Sequence, residues 1–280
     1  SPVSTLPVAF TSHMNSDYSE LACAVCAIAR RAGKAILEIY AGDFSVEQKH
    51  DCLPLTMADL AAHSVIQAGL ATLQPWPLLS EESVVIGWGD RSQWQRYWLI
   101  DPLDGTREFI KRNGEFTVNI ALIESHRPVL GVVLAPVTNE LYCAWEGGGA
   151  FFVRSENEKV QPLQTRARAK PLIIASSRSH SDERLQQALT KIGTHELHPL
   201  GSSLKFCRIA RGQADLYLRY GSTSEWDTAA GQCVLEQAGG AVIDFNGAPL
   251  SYNRHESLLN PDFIAHGDHS VDWKNLLAPQ

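Results

Sequence analysis

A short apolar run that stops abruptly at acidic residues constrains this chain more than any other feature. Residues Tyr97–Ile100 are apolar and aromatic, and the segment DPLDGT follows directly at residues 101–106. The run has the length and composition of a buried strand, whereas Pro102 and Gly105 interrupt regular structure. The pattern predicts a strand, a tight turn and then a helix that begins at Thr106.

Two carboxylates of this segment are expected at the carboxyl end of the predicted strand. Asp101 and Asp104 would reach into a cleft there, and the backbone amides of Gly105 and Thr106 would point out of the helix start. Carboxylates bind divalent cations, and amides at a helix start donate hydrogen bonds to phosphate oxygens. The segment therefore predicts a site for phosphoryl chemistry.

Two further acidic stretches occupy comparable positions. Glu81 and Glu82 follow the apolar pair at residues 78–79, and Asp227 comes directly after Trp226 at the start of a predicted helix. Hard oxygen ligands in this number are what magnesium prefers. The three stretches together predict a magnesium site.

Each acidic residue also has a structural explanation when it is taken alone. Asp227 lies at the start of a predicted helix, where aspartate is a common N-cap residue. Asp59 follows Thr56 at the spacing of a capping box. The glutamate pair is compatible with a solvated loop. The combination with Asp101 and Asp104 favours the ligand role for Asp227, whereas the residues alone leave the roles of Glu81 and Glu82 open.

Several motifs of this sequence are similar to those of one enzyme superfamily. They are the glutamate pair at 81–82, DPLDGT at 101–106 and WDTAAG at 226–231, and they resemble the inositol monophosphatase superfamily of magnesium-dependent, lithium-sensitive phosphatases. Two longer runs, LDGTREFIKRNGEFTVNIA at 103–121 and GSSLKFC at 201–207, are similar to the bacterial 3'(2'),5'-bisphosphate nucleotidases. The resemblance extends over nearly the whole chain, from about residue 19 to residue 263.

The expected fold class is α/β, with an α+β N-terminal lobe and an α/β C-terminal lobe. A length of 280 residues exceeds that of a usual single core, which favours two lobes sharing one cleft. The resemblance implies a layered αβαβα sandwich of the sugar-phosphatase type, with metals between the lobes. We expect a disordered or vector-derived leader at 1–13, the N-terminal lobe at 14–165 and the C-terminal lobe at 166–280.

Hydrophobic periodicity predicts the individual elements. Helices are expected at residues 18–40, after Thr56, and at 181–192, 203–211 and 227–237. Strands are expected at residues 78–79, 97–100, 117–123, 129–135, 141–144, 172–175, 214–218 and 241–244. The charged segment 154–170 predicts an exposed connection between the lobes.

The resemblance implies a ligand set and a catalytic pair. Two or three magnesium ions would be held by Glu81, Asp101, the backbone carbonyl of Leu103, Asp104 and Asp227. Thr106, hydrogen-bonded to Asp59, would take the proton of an attacking water, and no phosphoenzyme is required.

The resemblance also implies the substrate, adenosine 3',5'-bisphosphate, which would give AMP and phosphate and so clear the by-product of sulfate activation. Ser202, Lys205 and Arg219 match residues that bind the distal 5'-phosphate in nucleotidase relatives. His180 is as compatible with an ordinary surface histidine as with a phosphate contact. The full predicted substrate-binding set is Glu81, Leu103, Asp104, Gly105, Thr106, His180, Ser202, Lys205, Arg219 and Asp227.

Two other functions remain alternatives. An inositol or fructose phosphatase would use the same metal site, and the GSSLK segment and Arg219 weigh against it. A catalytically inactive nucleotide-binding sensor would keep the fold, but it should have lost at least one of the predicted ligands or catalytic residues. None of them is missing here.

Composition restricts the partners. The net charge of -7 and the absence of a sustained Lys/Arg face argue against a nucleic-acid polymer, and no uninterrupted apolar run is long enough for a transmembrane segment. The six cysteines are expected to be reduced thiols of a cytoplasmic protein, and core packing is favoured over a redox or zinc role for Cys23 and Cys26. A homodimer and a peripheral position at the inner face of the inner membrane stay open.

Overall fold

The computed structural model describes residues 18–42, 53–83, 86–155, 157–178 and 182–279. The expected leader at 1–13, Cys52 and His180 lie outside the described residues. Within these ranges the helices are α1 (Ser19–Tyr40), α2 (Leu53–Leu73), α3 (Trp88–Arg91), α4 (Thr106–Lys111), α5 (Glu183–Ile192), α6 (Leu204–Ala210), α7 (Glu225–Gln237) and α8 (Trp273–Leu276). No helix within the described ranges combines the length and the apolar character that crossing a membrane requires.

The first sheet contains seven strands in sequential order. They are β1 (Leu78–Ser80), β2 (Arg96–Asp104), β3 (Thr117–Glu124), β4 (Arg127–Ala135), β5 (Glu140–Trp145), β6 (Gly149–Val153) and β7 (Gln161–Pro162). The strand β1 pairs in parallel with β2, and every later neighbour is antiparallel. The strands β3, β4 and β5 are almost entirely buried, because both faces of this sheet are covered.

The second sheet contains five strands in the order β11-β12-β10-β8-β9. They are β8 (Leu172–Ser176), β9 (His195–Pro199), β10 (Leu216–Arg219), β11 (Ala241–Asp244) and β12 (Phe263–His266). The strands β8, β9 and β10 run parallel, and β12 is antiparallel to both β10 and β11. The parallel part requires crossover connections, which α5 and α6 provide.

Three apolar cores define five layers. The helices α1 and α2 pack on the outer face of the first sheet, and α6 and α7 lie between the two sheets. The helices α5 and α8 cover the outer face of the second sheet. This αβαβα order confirms the predicted fold class. The division into lobes at residues 165 and 166 remains a prediction.

The strand that carries the first two aspartates is longer than expected. We predicted a strand at residues 97–100 followed by a turn, but β2 continues to Asp104, so both aspartates lie within the strand rather than after it. The cause is the neighbouring β3, which pairs with Asp101 and again with Asp104 across a β-bulge. Pro102 falls at this irregularity, where its missing N–H does not interrupt a ladder.

The helix that carries Asp59 begins earlier than expected. The structure places Thr56 inside α2, which extends from Leu53, so Thr56 is not the N-cap and the capping-box explanation for Asp59 is wrong. Pro54 does not prevent the earlier start, because the N–H groups of a first helical turn have no intrahelical partner. Asp59 is therefore a buried residue of the helix interior.

The segment 154–170 is not simply an exposed connection. Its residues 161–162 form β7 at the edge of the first sheet, and Leu163 packs against the central core. Arg166 donates two hydrogen bonds of 3.0 and 2.9 Å to the buried Asp215. One charged residue of this segment, Arg166, therefore forms a specific ion pair beside the second sheet.

Candidate active site

Three aspartates from two parts of the chain come together between the sheets. Asp101 and Asp104 lie on either side of the bulge in β2, and Asp227 is the third residue of α7. Each contributes a carboxylate oxygen to a group in which all of these oxygens lie within 4.8 Å of one another. We call these three residues the aspartate cluster.

Asp227 combines a structural role with its place in the cluster. Its Oδ2 accepts a 2.8 Å hydrogen bond from the backbone N–H of Ser224, which precedes the first turn of α7. The helix begins at Glu225 rather than at Asp227, so Asp227 occupies the third position of a capping box and not the N-cap. The hydrogen bond fixes the orientation of the carboxyl group that faces the other two aspartates.

Burial and mutual repulsion disfavour the charged forms of these carboxyls. Burial raises the pKa of Asp101 well above its usual range, and the charges of Asp104 and Asp227 raise it further. Burial followed by the charge of Asp227 raises the pKa of Asp104 to about 8, against the opposing effect of Lys205. The pKa of Asp227 is also raised, mainly by burial. A bound cation would relieve this repulsion.

The residues of the cluster fit a magnesium site. Oδ1 of Asp101 is buried and has no hydrogen-bond partner among the described residues. A buried carboxylate oxygen without a donor is costly unless a cation or water satisfies it. Oxygen atoms at these separations, all from carboxylates, are the donors that Mg²⁺ prefers.

Two other predicted ligands border the cluster. Glu81 lies outside the group of three, but its carboxyl interacts with that of Asp101, and its pKa is raised by burial and by the charge of Asp227. Leu103 is fully buried between the two aspartates of β2. The ligand roles of Glu81 and of the Leu103 carbonyl remain predictions.

The predicted catalytic pair is only partly assembled. Burial raises the pKa of Asp59 to about 8, and the charges of Glu82 and Glu81 add to this effect. Oδ1 of Asp59 is buried without a hydrogen-bond partner within the described ranges. Thr106 lies at the start of α4 and lines the cleft. Among the described residues, Thr106 and Asp59 do not form a hydrogen bond with each other. Their joint role stays a prediction.

One cleft with a cavity volume of about 280 Å³ brings the carboxylates and the predicted phosphate-binding cations together. Asp104 and Asp227 form part of its wall, as do Lys205 and Arg219. The predicted substrate-binding residues that line this cleft are Asp104, Gly105, Thr106, Ser202, Lys205, Arg219 and Asp227.

Lys205 and Arg219 are held in the cleft by few protein contacts. The Lys205 Nζ donates to the Leu200 carbonyl at 3.2 Å and lies 5.1 Å from the centre of the Tyr217 ring. Burial lowers the pKa of Lys205 to about 8, and the negative charge of Asp104 opposes this effect. Arg219 donates long hydrogen bonds to Ser177 Oγ at 3.4 Å and to the Ser222 carbonyl at 3.3 Å, whereas its buried Nε lacks a partner in the described part of the chain. Both side chains therefore have unsatisfied capacity to bind an anion.

The loop before α6 connects the cleft to the first sheet. The Ser202 hydroxyl donates to the Glu115 carbonyl at 2.8 Å, so in this conformation its proton is not directed at a ligand. Gly105 has a φ of +94°, and a Cβ there would lie 3.2 Å from Phe116 Cα and from Ser202 Cβ. A side chain larger than hydrogen would therefore disturb the close approach of the two segments.

Sequence reasoning missed one ion pair at the edge of the cleft. Arg178 lines the cleft and donates a 2.9 Å hydrogen bond from Nε to Glu115, whose carboxylate also accepts the Gly201 N–H at 2.8 Å. Glu115 lies within the run that is similar to the nucleotidases. Nothing local in the sequence indicates its partner, because 63 residues separate it from Arg178.

The fold and the aspartate cluster define a metal-dependent phosphatase, and the chain belongs to the inositol monophosphatase family, whose model matches residues 17–274. Relatives with high sequence identity indicate which kind of phosphatase this chain resembles. The chain is 52% identical over 242 residues to the 3'(2'),5'-bisphosphate nucleotidase CysQ of Escherichia coli strain K12, covering 85% of this chain and 96% of the relative. It is 39% identical over 254 residues to the protein of the same name from Haemophilus influenzae, covering 90% and 94%.

Solved structures give the same result for the fold. CysQ from Bacteroides thetaiotaomicron, described as a bacterial member of the inositol monophosphatase family, matches with a TM-score of 0.82 at 40% identity, covering 89% of this chain and 98% of that chain. An inositol monophosphatase from Zymomonas mobilis matches with a TM-score of 0.77 at 25% identity, covering 94% and 98%. The family membership predicted from the motifs is therefore confirmed.

Proposed function

We propose that this protein is a magnesium-dependent 3'(2'),5'-bisphosphate nucleotidase. It hydrolyses the 3'-phosphate of adenosine 3',5'-bisphosphate to AMP and phosphate, and so clears the by-product of sulfate activation. The observation that carries the proposal is a single cleft that borders the aspartate cluster and is also lined by two cations, the buried Lys205 and the half-buried Arg219. The similarity to bacterial relatives that bear the nucleotidase name supports the same substrate class.

The metal ligands in this proposal are Glu81, Asp101, the Leu103 carbonyl, Asp104 and Asp227, with two or three Mg²⁺ ions. When bound, magnesium lowers the pKa of a coordinated water and neutralises charge on the departing oxygen. Most ligands then belong to the N-terminal lobe at 14–165. Asp227 and the anion-binding cations belong to the C-terminal lobe at 166–280.

The side chains of the cleft bind and orient the substrate and move one proton. Asp59 acts as the base through Thr106: the Thr106 hydroxyl passes its own proton to the Asp59 carboxylate as it receives the proton of the attacking water, so the proton ends on Asp59. The Gly105 and Thr106 amides contact the phosphate that is cleaved. The order of events requires no phosphorylated side chain.

The second phosphate of the substrate accounts for the two cations that line the cleft. The distal 5'-phosphate is held by Lys205, Arg219 and Ser202, with Ser202 turning its hydroxyl away from the Glu115 carbonyl. A simple inositol monophosphate has no group for these residues. His180 stays a predicted contact outside the described residues.

Phosphate release tests this proposal directly. We would assay adenosine 3',5'-bisphosphate and inositol 1-phosphate side by side, with magnesium and with excess chelator. A strong, magnesium-dependent preference for the nucleotide is the expected result. Preference for the inositol ester would keep the metal site and overturn the substrate, and no release from either substrate would favour a nucleotide-binding sensor.

Two further predictions belong to the same proposal. Five cysteines are free among the described residues, which is compatible with the expected cytoplasmic location.

The second prediction is a homodimer. Light scattering coupled to size-exclusion chromatography measures the mass in solution, and a monomeric mass would show that the prediction is wrong.

A further inference from the structure

A buried arginine outside the predicted site contacts the segment that follows α7 in the chain. Arg91 ends α3 and is 3% exposed. Its Nη1 donates to Asn253 Oδ1 at 2.9 Å and to the His255 carbonyl at 3.3 Å, and its Nη2 donates to the Glu256 carbonyl. The guanidinium also lies 4.7 Å from the centre of the Trp88 ring. These contacts hold the guanidinium in one place.

Asn253 joins this arginine to a buried glutamate. Its Nδ2 donates to the Arg91 carbonyl at 2.6 Å, and its backbone N–H donates to Glu225 Oε1 at 3.0 Å. Asn253 is 2% exposed and has a φ of +57°, a conformation that asparagine adopts more readily than most residues. Glu225 is 5% exposed. We call Arg91, Asn253 and Glu225 the buried relay.

Hydrogen bonds of Asn253 join the Arg91 and Glu225 side chains, and the charge of Arg91 also acts on the Glu225 carboxyl through space. No ion pair within 4.0 Å between Arg91 and Glu225 is recorded for the described residues. Burying two charges in this way is costly, and apolar side chains in place of such a network are often neutral or stabilising. Stability alone therefore does not account for the relay, whereas a fixed geometry does.

One end of the relay is two residues from a predicted metal ligand, and the other end lies in the same connection as a second one. Glu225 is the first residue of α7, and Asp227 is the third. Arg91 lies in the connection between β1 and β2, which also contains Glu81. The relay thus connects the two segments of chain that bring Glu81 and Asp227 to the aspartates of β2.

A second set of hydrogen bonds fixes the start of α7 from the same segment. The Asn260 Nδ2 donates to the Ser224 carbonyl and to Thr228 Oγ1, both at 2.9 Å. The Leu258 carbonyl accepts the Glu225 N–H at 2.9 Å. Because these bonds restrain the backbone of α7, the relay has a rigid support through which it can orient Asp227.

We propose that Arg91, Asn253 and Glu225 are positioning residues that set the magnesium affinity of the aspartate cluster. They act through the start of α7 and contact neither metal nor substrate. Groups that orient metal ligands typically contribute about 10- to 100-fold to metal affinity. The inference rests on the metal site in the proposed function.

The test is calorimetric titration of chelator-treated protein with MgCl₂ alone, well below the unfolding temperature. In Asn253→Gly the bridging amide is lost, while glycine accepts the positive φ without strain. We expect the Kd for magnesium to rise by about 10-fold or more. The matched control is Asn139→Gly, because Asn139 also has a positive φ, of 59°, and accepts a 2.6 Å hydrogen bond from Arg30, but is exposed. Its Kd should equal that of the wild type.

A second variant, Glu225→Gln, keeps the side-chain volume and an acceptor oxygen, so it serves if Asn253→Gly does not fold. We expect a smaller increase in Kd and partial recovery of kcat at high magnesium. If the folded variants lose thermal stability but bind magnesium within about twofold of the wild type, the relay is only structural and the inference is wrong. If the wild type itself does not bind magnesium, the metal site of the proposed function is wrong. The inference about the relay is then wrong as well.

Discussion

The backbone N–H of Ser203 donates a 2.9 Å hydrogen bond to Oδ2 of Asp104. This bond joins the strand that carries two of the clustered aspartates to the loop that precedes α6. Ser203 is further tied to the first sheet, since its hydroxyl donates to Asn119 Oδ1 at 2.7 Å. The position of Lys205, two residues later, is therefore set relative to the aspartate cluster, which under the proposed function would fix the distance between the two phosphates of the substrate.

Removing the charge of Lys205 should separate the binding of the two phosphates. Charge reversal is the less informative change, because a carboxylate there would add to the repulsion around Asp104. In Lys205→Met we expect KM for adenosine 3',5'-bisphosphate to rise by roughly 10- to 100-fold, as for the loss of a hydrogen bond to a charged group. Steady-state kinetics on the bisphosphate and on a simple monophosphate measure the difference.

The control for this substitution is Lys34→Met, an exposed position on α1. It should leave KM for both substrates unchanged. An equal loss on bisphosphate and monophosphate in Lys205→Met would show that Lys205 supports the metal site rather than the second phosphate.

The proposed proton transfer makes Thr106 and Asp59 matter for turnover more than for binding. We expect Thr106→Ala and Asp59→Asn each to lower kcat by about 10²- to 10⁴-fold with little change in KM, because general base catalysis contributes in that range. Thr106→Ser keeps the hydroxyl and should retain most of kcat. Full turnover in both the alanine and the asparagine variant would remove these residues from the mechanism.

Asp101→Asn should stabilise the metal-free protein and weaken its binding of magnesium. The substitution removes one charge from a buried group of carboxyls that repel one another, so the metal-free protein should become more stable by about 1–2 kcal/mol. It should also abolish the rise in Tm that magnesium gives the wild type. Differential scanning calorimetry with chelator and with MgCl₂ measures both effects.

The exposed Glu38→Gln on α1 provides the reference, with an unchanged Tm in both conditions. A variant of Asp101 that is still stabilised by magnesium as strongly as the wild type would exclude Asp101 from the ligand set.

The sequence predicted those parts of the molecule that depend on local pattern. The long helix α1, the strands β3 to β5 and the start of α4 all carry strong periodicity or turn signals, and they were confirmed within a few residues. The strand β9 was missed because its residues His195–Pro199 are mostly exposed and polar at a sheet edge. Such a strand has no apolar alternation for a pattern to detect.

Prediction of the site was limited in the same way, to features that a local sequence pattern indicates. Asp101, Asp104 and Asp227 were identified because each lies in a distinctive segment of its own, and the structure brings them together as expected. The contacts between Glu115 and Arg178 and between Asn253 and Arg91 were not predicted. They join residues far apart in the chain, and only the packing of the two sheets determines which ones meet.

His266 should make the fold less stable in mild acid. His266 lies on the interior strand β12 and is 4% exposed, and its ring centre is 5.0 Å from that of His269 in an edge contact. Burial lowers the pKa of His266 from 6.5 to about 4, and the nearby His269 adds to this effect while Asp268 opposes it. Between these two values the unfolded chain binds a proton that the folded protein does not. The free energy of unfolding therefore decreases as the pH falls from about 6.5 to 4.

The size of this effect can be isolated with His266→Phe, which keeps an aromatic ring and cannot take up a proton. The expected contribution of His266 is on the order of 2–3 kcal/mol across the window. Urea unfolding at several pH values, with chelator present throughout, should therefore give a smaller decrease in stability for the variant than for the wild type. His198→Gln serves as the control, because the His198 side chain is 54% exposed and lies on the edge strand β9. If the wild type and His266→Phe lose stability in parallel down to pH 4, the acid sensitivity of the fold originates elsewhere, and the buried ring is protonated without cost.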